Sequence, residues 1–218
     1  MMRRIIGAVC ALMLFSSVGL LAQNADPVQH SELSVQVMGV FTQNTNVRNL
    51  ASNPGSIRNH IVTNSAGVLV GYRYHINSWE ALEGEWGYTQ NGQRYYTGSV
   101  PYGTGPATYT LNSRMNDFDA NEVITTPRLL GFFQPFILAG GGVVMFSPSD
   151  ANFPGATRQT EGMWDYGAGF DFNIDHLGAR FEFRELNFKT PDFGLPNLLA
   201  THRTTHTASP SVGLIFTF

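Results

Sequence analysis

The sequence predicts an all-β chain whose strands run up and down and close into an eight-stranded antiparallel barrel. Three observations carry this. Segments of about ten residues alternate apolar and polar positions with period two. The connections between them alternate short and long. The polar faces hold buried-looking charges while the opposite faces are aromatic. The 218 residues are compatible with one domain, and only 13 % are charged, against roughly 25 % in soluble domains. Sixteen Phe and eight Tyr exclude a disordered chain, and the single cysteine, Cys10, excludes a disulfide framework or a Cys-based zinc site. A formal charge of −3 gives no electrostatic reason to expect nucleic acid as a partner.

Residues 1–22 read as a secretory signal peptide: basic Arg3 and Arg4, an apolar stretch from Ile5 to Phe15, and a small residue at Ala22. Val9-Cys10 comes too early for a lipid anchor. Removal of this segment reduces 13 basic residues to 11 against 16 acidic ones, a charge of −5, and leaves no cysteine. A spanning helix needs about 20 apolar residues. The longest apolar run, Phe136 to Phe146, has eleven residues with Gly140, Gly141 and Gly142 at its centre, which suits a transmembrane strand instead. Residues 23–32 read as a short periplasmic lead, and 33–218 as the barrel.

Taken in order, Leu33, Val35, Val37, Gly39 and Phe41 share one face, opposite Ser34, Gln36 and Thr42. Ala66, Val68, Val70, Tyr72 and Tyr74 oppose Gly67, Gly71 and Arg73. Leu82, Gly84, Trp86 and Tyr88 oppose Glu83, Glu85 and Thr89. Segment 115–126 is polar, with Phe118 and Val123, and 135–146 is apolar on both faces. Trp164, Tyr166, Ala168, Phe170 and Phe172 oppose Asp165, Gly167, Gly169, Asp171 and Asn173. Ala179, Phe181 and Phe183 oppose Arg180, Glu182 and Arg184, and the last segment sets Val212, Leu214, Phe216 and Phe218 on one side. Short turns fall near 75–78, 126–134 and 174–176. Long connections fall near 43–64, 90–114, 147–160 and 189–205, and 90–114 leaves room for a hairpin that would make ten strands. This sorting is what a transmembrane barrel gives when both termini lie in the periplasm.

A small eight-stranded barrel is filled by side chains, so its inward charges must be paired. The expectation is an internal network of Arg73, Arg180 and Arg184 with Glu83, Glu85, Asp171 and Glu182, in which Arg73 and Arg180 reach Glu83, Glu85 or Glu182. The competing reading puts these charges in water on an ordinary sheet. Tyr72, Tyr74, Trp79, Trp86, Tyr88 and Trp164 are the candidates for aromatic girdles at the two membrane interfaces. Pro210 cannot donate a ladder hydrogen bond and predicts a bulge or the level where pairing starts.

With its terminal Phe218 preceded by alternating Phe216, Leu214 and Val212, the chain resembles bacterial outer-membrane β-barrel proteins of the small OmpA/OmpX type, over 33–218. The resemblance implies that Val212, Leu214, Phe216 and Phe218 form the strand read by the barrel assembly machinery. It also implies an integral outer-membrane protein in contact with lipid and lipopolysaccharide, acting as a structural or surface-interaction module, a monomer without cofactor, metal or catalytic residues.

Two other functions stand beside this one. An outer-membrane enzyme acting on lipid or lipopolysaccharide would use His202 and His206 with Thr204, Thr205, Thr207 or Ser209, provided that a carboxylate oriented an imidazole. The deacylase His-x-Ser-Asn pattern is absent, and His202 to His206 lacks the Glu of a zinc-protease motif. A soluble exported sandwich or lipocalin-like binder is the third reading. Gly140 to Gly142 is no phosphate loop, and Asp150, Asp165, Asp171 and Asp192 show no calcium-loop spacing. Tyr95, Tyr96, Tyr102 and Tyr109 mark 90–114 as an aromatic loop suited to surface contacts or to anchoring.

Overall fold

The computed structural model describes residues 31–43, 45–46, 57–97, 108–129, 132–149, 155–191, 193–194 and 204–218. Residues 1–30 with the signal segment, His202, Tyr102, Asp150 and Asp192 lie outside them. Among these residues there are ten strands: β1 Ser31–Thr42, β2 Thr45–Asn46, β3 Ile57–Val62, β4 Ser65–His75, β5 Glu80–Thr97, β6 Thr108–Thr125, β7 Phe133–Pro148, β8 Gln159–Ile174, β9 Leu177–Lys189 and β10 Thr204–Thr217. Eight of these, all except β2 and β3, pair antiparallel with both neighbours, and the β1–β10 ladder closes the barrel. The two extra strands come from the 43–64 connection, where the short β2 pairs with β3 and β3 with the far end of β5. The described residues of 90–114 form no further hairpin, and 98–107 lie outside them. Residues 90–97 and 108–114 simply prolong β5 and β6 as one ladder, so Tyr95, Tyr96 and Tyr109 lie on strands.

Register sets the barrel's dimensions. Glu32 pairs with Arg73, Arg73 with Glu83, Glu83 with Asn121, Asn121 with Gly140, Gly140 with Asp165, Asp165 with Leu186, and Leu186 with Thr207. Thr207 pairs with Thr42, so one circuit returns to β1 ten residues further along. Eight strands with that shear tilt by about 40° and enclose a radius of about 8 Å to the backbone, which side chains fill. At this tilt about ten residues cross a 25 Å apolar band. β5 and β6, with 18 residues each, therefore rise about 20 Å beyond it at the long-loop end.

The faces follow the period-two pattern. Leu33, Val35, Val37, Val68, Leu82, Ile137, Phe183 and Leu214 are exposed on the outside, where lipid solvates them without penalty. Three apolar groups lie within. Ala81, Val123, Phe136 and Leu138 pack toward the short-turn end, Met38, Val40 and Leu69 on one wall, and Leu111, Met115, Val144, Phe146, Met163, Leu186, Phe188 and Phe193 toward the long loops. This explains why 135–146 is apolar on both faces: Phe136, Leu138, Val144 and Phe146 point in, Ile137 and Val143 out. Phe118 is likewise exposed while Val123 is buried, so the polar segment 115–126 is an ordinary strand of this barrel. Phe193, at positive φ, folds back over the lumen and is fixed by its N–H to Gln159 Oε1 at 2.8 Å.

Two local expectations need correction. The strand starts at Ser31, two residues inside the supposed lead, which places Glu32 in the barrel. Pro210 makes no bulge. The β1–β10 register is the same on both sides of it (Met38 with Ser211, Phe41 with Ala208), and the ladder merely skips Gly39 and Val40. The missing N–H of proline is the reason.

Candidate functional site: the ionic interior

The lumen's middle layer is built on six strands, β1 contributing the buried Glu32. Period-two alternation turns Arg73 inward on β4, Glu83 and Glu85 on β5, Asp117 and Asp119 on β6, Asp165 and Asp171 on β8, and Arg180, Glu182 and Arg184 on β9, all buried. Glycines make the room. A Cβ on Gly71 would meet Ser34 Oγ at 2.7 Å and one on Gly87 would strike the Asp117 carboxylate. On the 140–142 run, Cβ atoms at Gly140 and Gly142 would run into the backbone carbonyls of Ala120 and Phe118, so these glycines permit the close β6–β7 approach.

Two clusters result. In the first, nearer the short-turn end, Arg73 donates to Glu83 Oε2 from Nε at 3.0 Å and Nη2 at 2.6 Å, and to Asp171 Oδ2 at 3.1 Å. Arg180 grips Asp171 with two hydrogen bonds, at 2.8 and 2.9 Å, and crosses the lumen to Glu83 Oε1 at 2.5 Å and Glu32 Oε2 at 2.9 Å. The two guanidinium groups lie over the Phe136 ring, 4.3 and 5.2 Å from its centroid. His75 Nε2 sits 3.1 Å from Glu32 Oε1, at the floor of a cavity of about 800 Å³ lined also by Ser78, Pro127, Arg128, Gln134 and Asp175.

The second cluster centres on Arg184. Its Nη1 donates to Glu85 Oε2 at 2.9 Å and Asp119 Oδ2 at 2.8 Å, while Asp117 lies 3.6 Å from Nη2 and Glu182 3.2 Å from Nε. Asn121 Nδ2 bridges to Asp119 at 3.0 Å and more weakly to Glu85 at 3.4 Å. Arg73 and Arg180 thus both reach Glu83 but neither pairs with Glu85 or Glu182, which face Arg184 instead. Sequence reasoning missed Glu32, His75, Asp117 and Asp119. The alternation Asp117-x-Asp119-x-Asn121, polar at every second position, is the available signal for β6, and Glu32 falls within the residues read as the lead.

Outside the barrel, Tyr72, Tyr74, Trp86 and Trp164 are exposed, and Tyr88 and Trp79 are half-buried. Trp86 lies beside a tilted Tyr88 ring (6.5 Å), and Trp164 stacks on Tyr166 (5.7 Å). Val212, Leu214, Phe216 and Phe218 also face out, and Phe218 closes the seam through two backbone hydrogen bonds with Ser31, at 2.8 and 2.9 Å. His206 is held by the Glu185 carboxylate at 3.0 Å, which the Tyr166 hydroxyl shares. Three of the four hydroxyls considered for an acyl-transfer pair turn away from it. Thr205, Thr207 and Ser209 point into the barrel and bond there to Thr190, Thr42 and Met38. Thr204 is exposed.

A closed eight-stranded antiparallel barrel with an apolar exterior and an ionic interior is now in view, and the chain matches the outer membrane protein beta-barrel domain family over residues 8–216. The chain belongs to that family. As a member of this outer-membrane barrel family it resembles several solved structures in fold. OprG of Pseudomonas aeruginosa superposes with a TM-score of 0.57 at 11 % identity, covering 89 % of this chain and 98 % of that one. Ail, the attachment invasion locus protein of Yersinia pestis, crystallised with the heparin analogue sucrose octasulfate, gives 0.51 at 14 %, covering 87 % and 99 %. Neisserial surface protein A gives 0.50 at 11 %, covering 85 % and 97 %. At these identities the likeness is one of fold. No curated protein matches the chain.

Proposed function

We propose that this outer-membrane barrel serves as a structural and surface-interaction module: a side-chain-filled anchor that displays its long connections outside the cell. The observation that carries the reading is the pairing of a plugged lumen with an overlong β5–β6 hairpin. Arg73, Arg180 and Arg184 span the interior at its middle, and Phe193 with Phe146 and Phe188 fills it toward the long loops. An interior so filled favours an anchor over a pore, and strands prolonged about 20 Å past the apolar band favour contacts made beyond the membrane.

In this reading both termini lie in the periplasm, the protein is a monomer surrounded by lipid and lipopolysaccharide, and the outward ladder of Val212, Leu214, Phe216 and Phe218 is what the assembly machinery engages. Its free edge before closure is a template for strand pairing. The lipid-modifying alternative has one observation in its favour, the Glu185-oriented His206 on the outer surface, while Thr205, Thr207 and Ser209 are turned into the barrel. The test is a strain that produces the barrel without residues 94–109, the far ends of β5 and β6 with the segment that connects them. Loss of surface adhesion with an intact heat-shifted barrel supports the reading. Unchanged adhesion and envelope integrity in that strain and in a full deletion would reject it.

A further inference from the structure

We infer that the outer wall of the barrel, just beyond the apolar band, binds the phosphate groups of lipopolysaccharide through Arg114 and Arg158, which stand on either side of Ser147. The first ground is where charge lies along the chain. The four long connections, residues 43–64, 90–114, 147–160 and 189–205, hold seven Lys and Arg against two Asp. The rest of the chain from residue 23 onward holds four basic residues against fourteen acidic ones. An acidic protein thus presents one basic end, and basic groups gathered at a membrane surface attract anionic headgroups.

Register brings two of these cations together. On β5, β6 and β7 the outward positions leave the apolar band in step. Trp86 pairs with Phe118 and Phe118 with Val143. Two residues on, Tyr88 pairs with Asn116 and Asn116 with Met145. Two further on, Gln90 pairs with Arg114 and Arg114 with Ser147. The row continues onto the β8 side, because Phe146 pairs with Gln159 and Arg158 directly precedes it. Arg114 and Arg158 are both exposed, while Ser113 and Met115 beside Arg114 are buried, so the arginines sit on the outer wall and not in the lumen. Arg114 lies about 7 Å along the strand beyond the level of Tyr88. Tyr88 in turn takes a hydrogen bond on its hydroxyl from Gln90 Nε2 at 2.8 Å. Tyr and Trp rings mark the interface, which puts the two arginines at headgroup depth.

Two strand spacings separate the arginine backbones by about 10 Å. Two guanidinium forks can close that gap from opposite sides on one phosphate, with the Ser147 hydroxyl between them as a further donor. Among the described residues no carboxylate pairs with either fork, whereas Arg73, Arg180 and Arg184 all hold carboxylates inside. Glu161, three residues from Arg158, belongs to the inward positions of β8 and accepts from Gln159 Nε2 at 2.6 Å. In an outer membrane the leaflet at this end is built of lipopolysaccharide, whose phosphates supply the matching charge.

The experiment uses the full mature chain refolded in neutral detergent micelles and titrated with diphosphorylated lipid A, with its dephosphorylated form, with phosphatidylglycerol and with dextran sulfate. Calorimetry reads the affinities. The parent should prefer the diphosphorylated lipid to each of the others. Arg114→Gln and Arg158→Gln should each weaken its binding about fivefold, as expected for one basic side chain at an anionic surface, and the double variant at least about tenfold. Arg128→Gln, at the short-turn end, should leave it unchanged. Since neither arginine holds another described residue, the variants should keep the heat-shifted barrel and the parent's urea midpoint, so a loss of binding is not a loss of fold. Equal affinity of parent and double variant for diphosphorylated lipid A, or of the parent for the phosphorylated and dephosphorylated forms, would overturn the inference. A requirement for both arginines in binding phosphatidylglycerol or dextran sulfate, but not lipid A, would overturn it too and assign the row to phospholipid or to a soluble polyanion. The inference rests on the proposed outward orientation of the long connections, yet the two fail separately: binding in micelles is blind to orientation, whereas adhesion of the strain lacking 94–109 is not.

Discussion

Arg180→Ala probes the interior most directly. The side chain is fully buried and makes four charge-assisted hydrogen bonds, two to Asp171 and one each to Glu83 and Glu32. Its removal does not leave those carboxylates bare. Glu83 keeps two hydrogen bonds from Arg73, and Asp171 keeps one at 3.1 Å. Glu32 retains His75 at 3.1 Å and Arg73 at 4.0 Å. Three carboxylates then share one guanidinium, and breaking one partner of a buried ion pair costs about 3–5 kcal/mol. With a urea slope of about 2 kcal/mol/M, the unfolding midpoint should fall by about 2 M. Tryptophan fluorescence of the refolded barrel measures it, and heat-shifted gel mobility measures insertion, which should be retained. Two companions separate charge from volume. Arg180→Met fills the space without charge and should fall as far as alanine, whereas Arg180→Lys keeps the charge without the fork and should fall by about half as much. Midpoints equal to the parent's for Arg180→Ala would refute the argument. A parental midpoint for Arg180→Met would show that packing, not charge, is at stake.

Deletion of Phe218 removes both hydrogen bonds that pin the seam to Ser31, and should lower the fraction of heat-shifted barrel in the outer-membrane fraction. Undiminished assembly would count against the proposed signal. Gly142→Ala sets a Cβ against the Phe118 carbonyl of the neighbouring strand and should cost about 1–3 kcal/mol in the same unfolding assay; Gly162→Ala, with open space around it, serves as the control. Phe193→Ala empties the apolar cap toward the long loops, with an expected loss of about 3–5 kcal/mol. Overproduction of the parent and of His206→Ala should give identical lipid A and phospholipid profiles. A parent-specific change would revive the enzymatic reading.

Reading the chain by period two identified six of the eight barrel faces without ambiguity of side, 115–126 and 135–146 being the exceptions. The reason is physical: neighbouring residues on a strand point to opposite sides, so an apolar–ionic alternation names the inner face even before the barrel is closed. Where the inner face is itself apolar, as at Phe136, Leu138, Val144 and Phe146, alternation vanishes and only the packed interior explains the pattern. Strand ends were legible on the short-turn side and blurred on the other. β5 and β6 continue past the lipid band with polar outward residues such as Gln90, Asn112 and Arg114, where the apolar signal stops but the ladder does not.

Pairing in the interior was beyond the sequence. The inventory of inward charges depends on alternation alone, but their partners depend on shear. A displacement of ten residues per circuit brings Arg180 of β9 beside Glu32 of β1 and across from Glu83 of β5, residues 148 and 97 positions away. The sequence by itself determined which side of each strand meets lipid, because that is a property of single strands. Only the closed tertiary structure decided which carboxylate each arginine holds, because contacts across a lumen exist only after every register has been set.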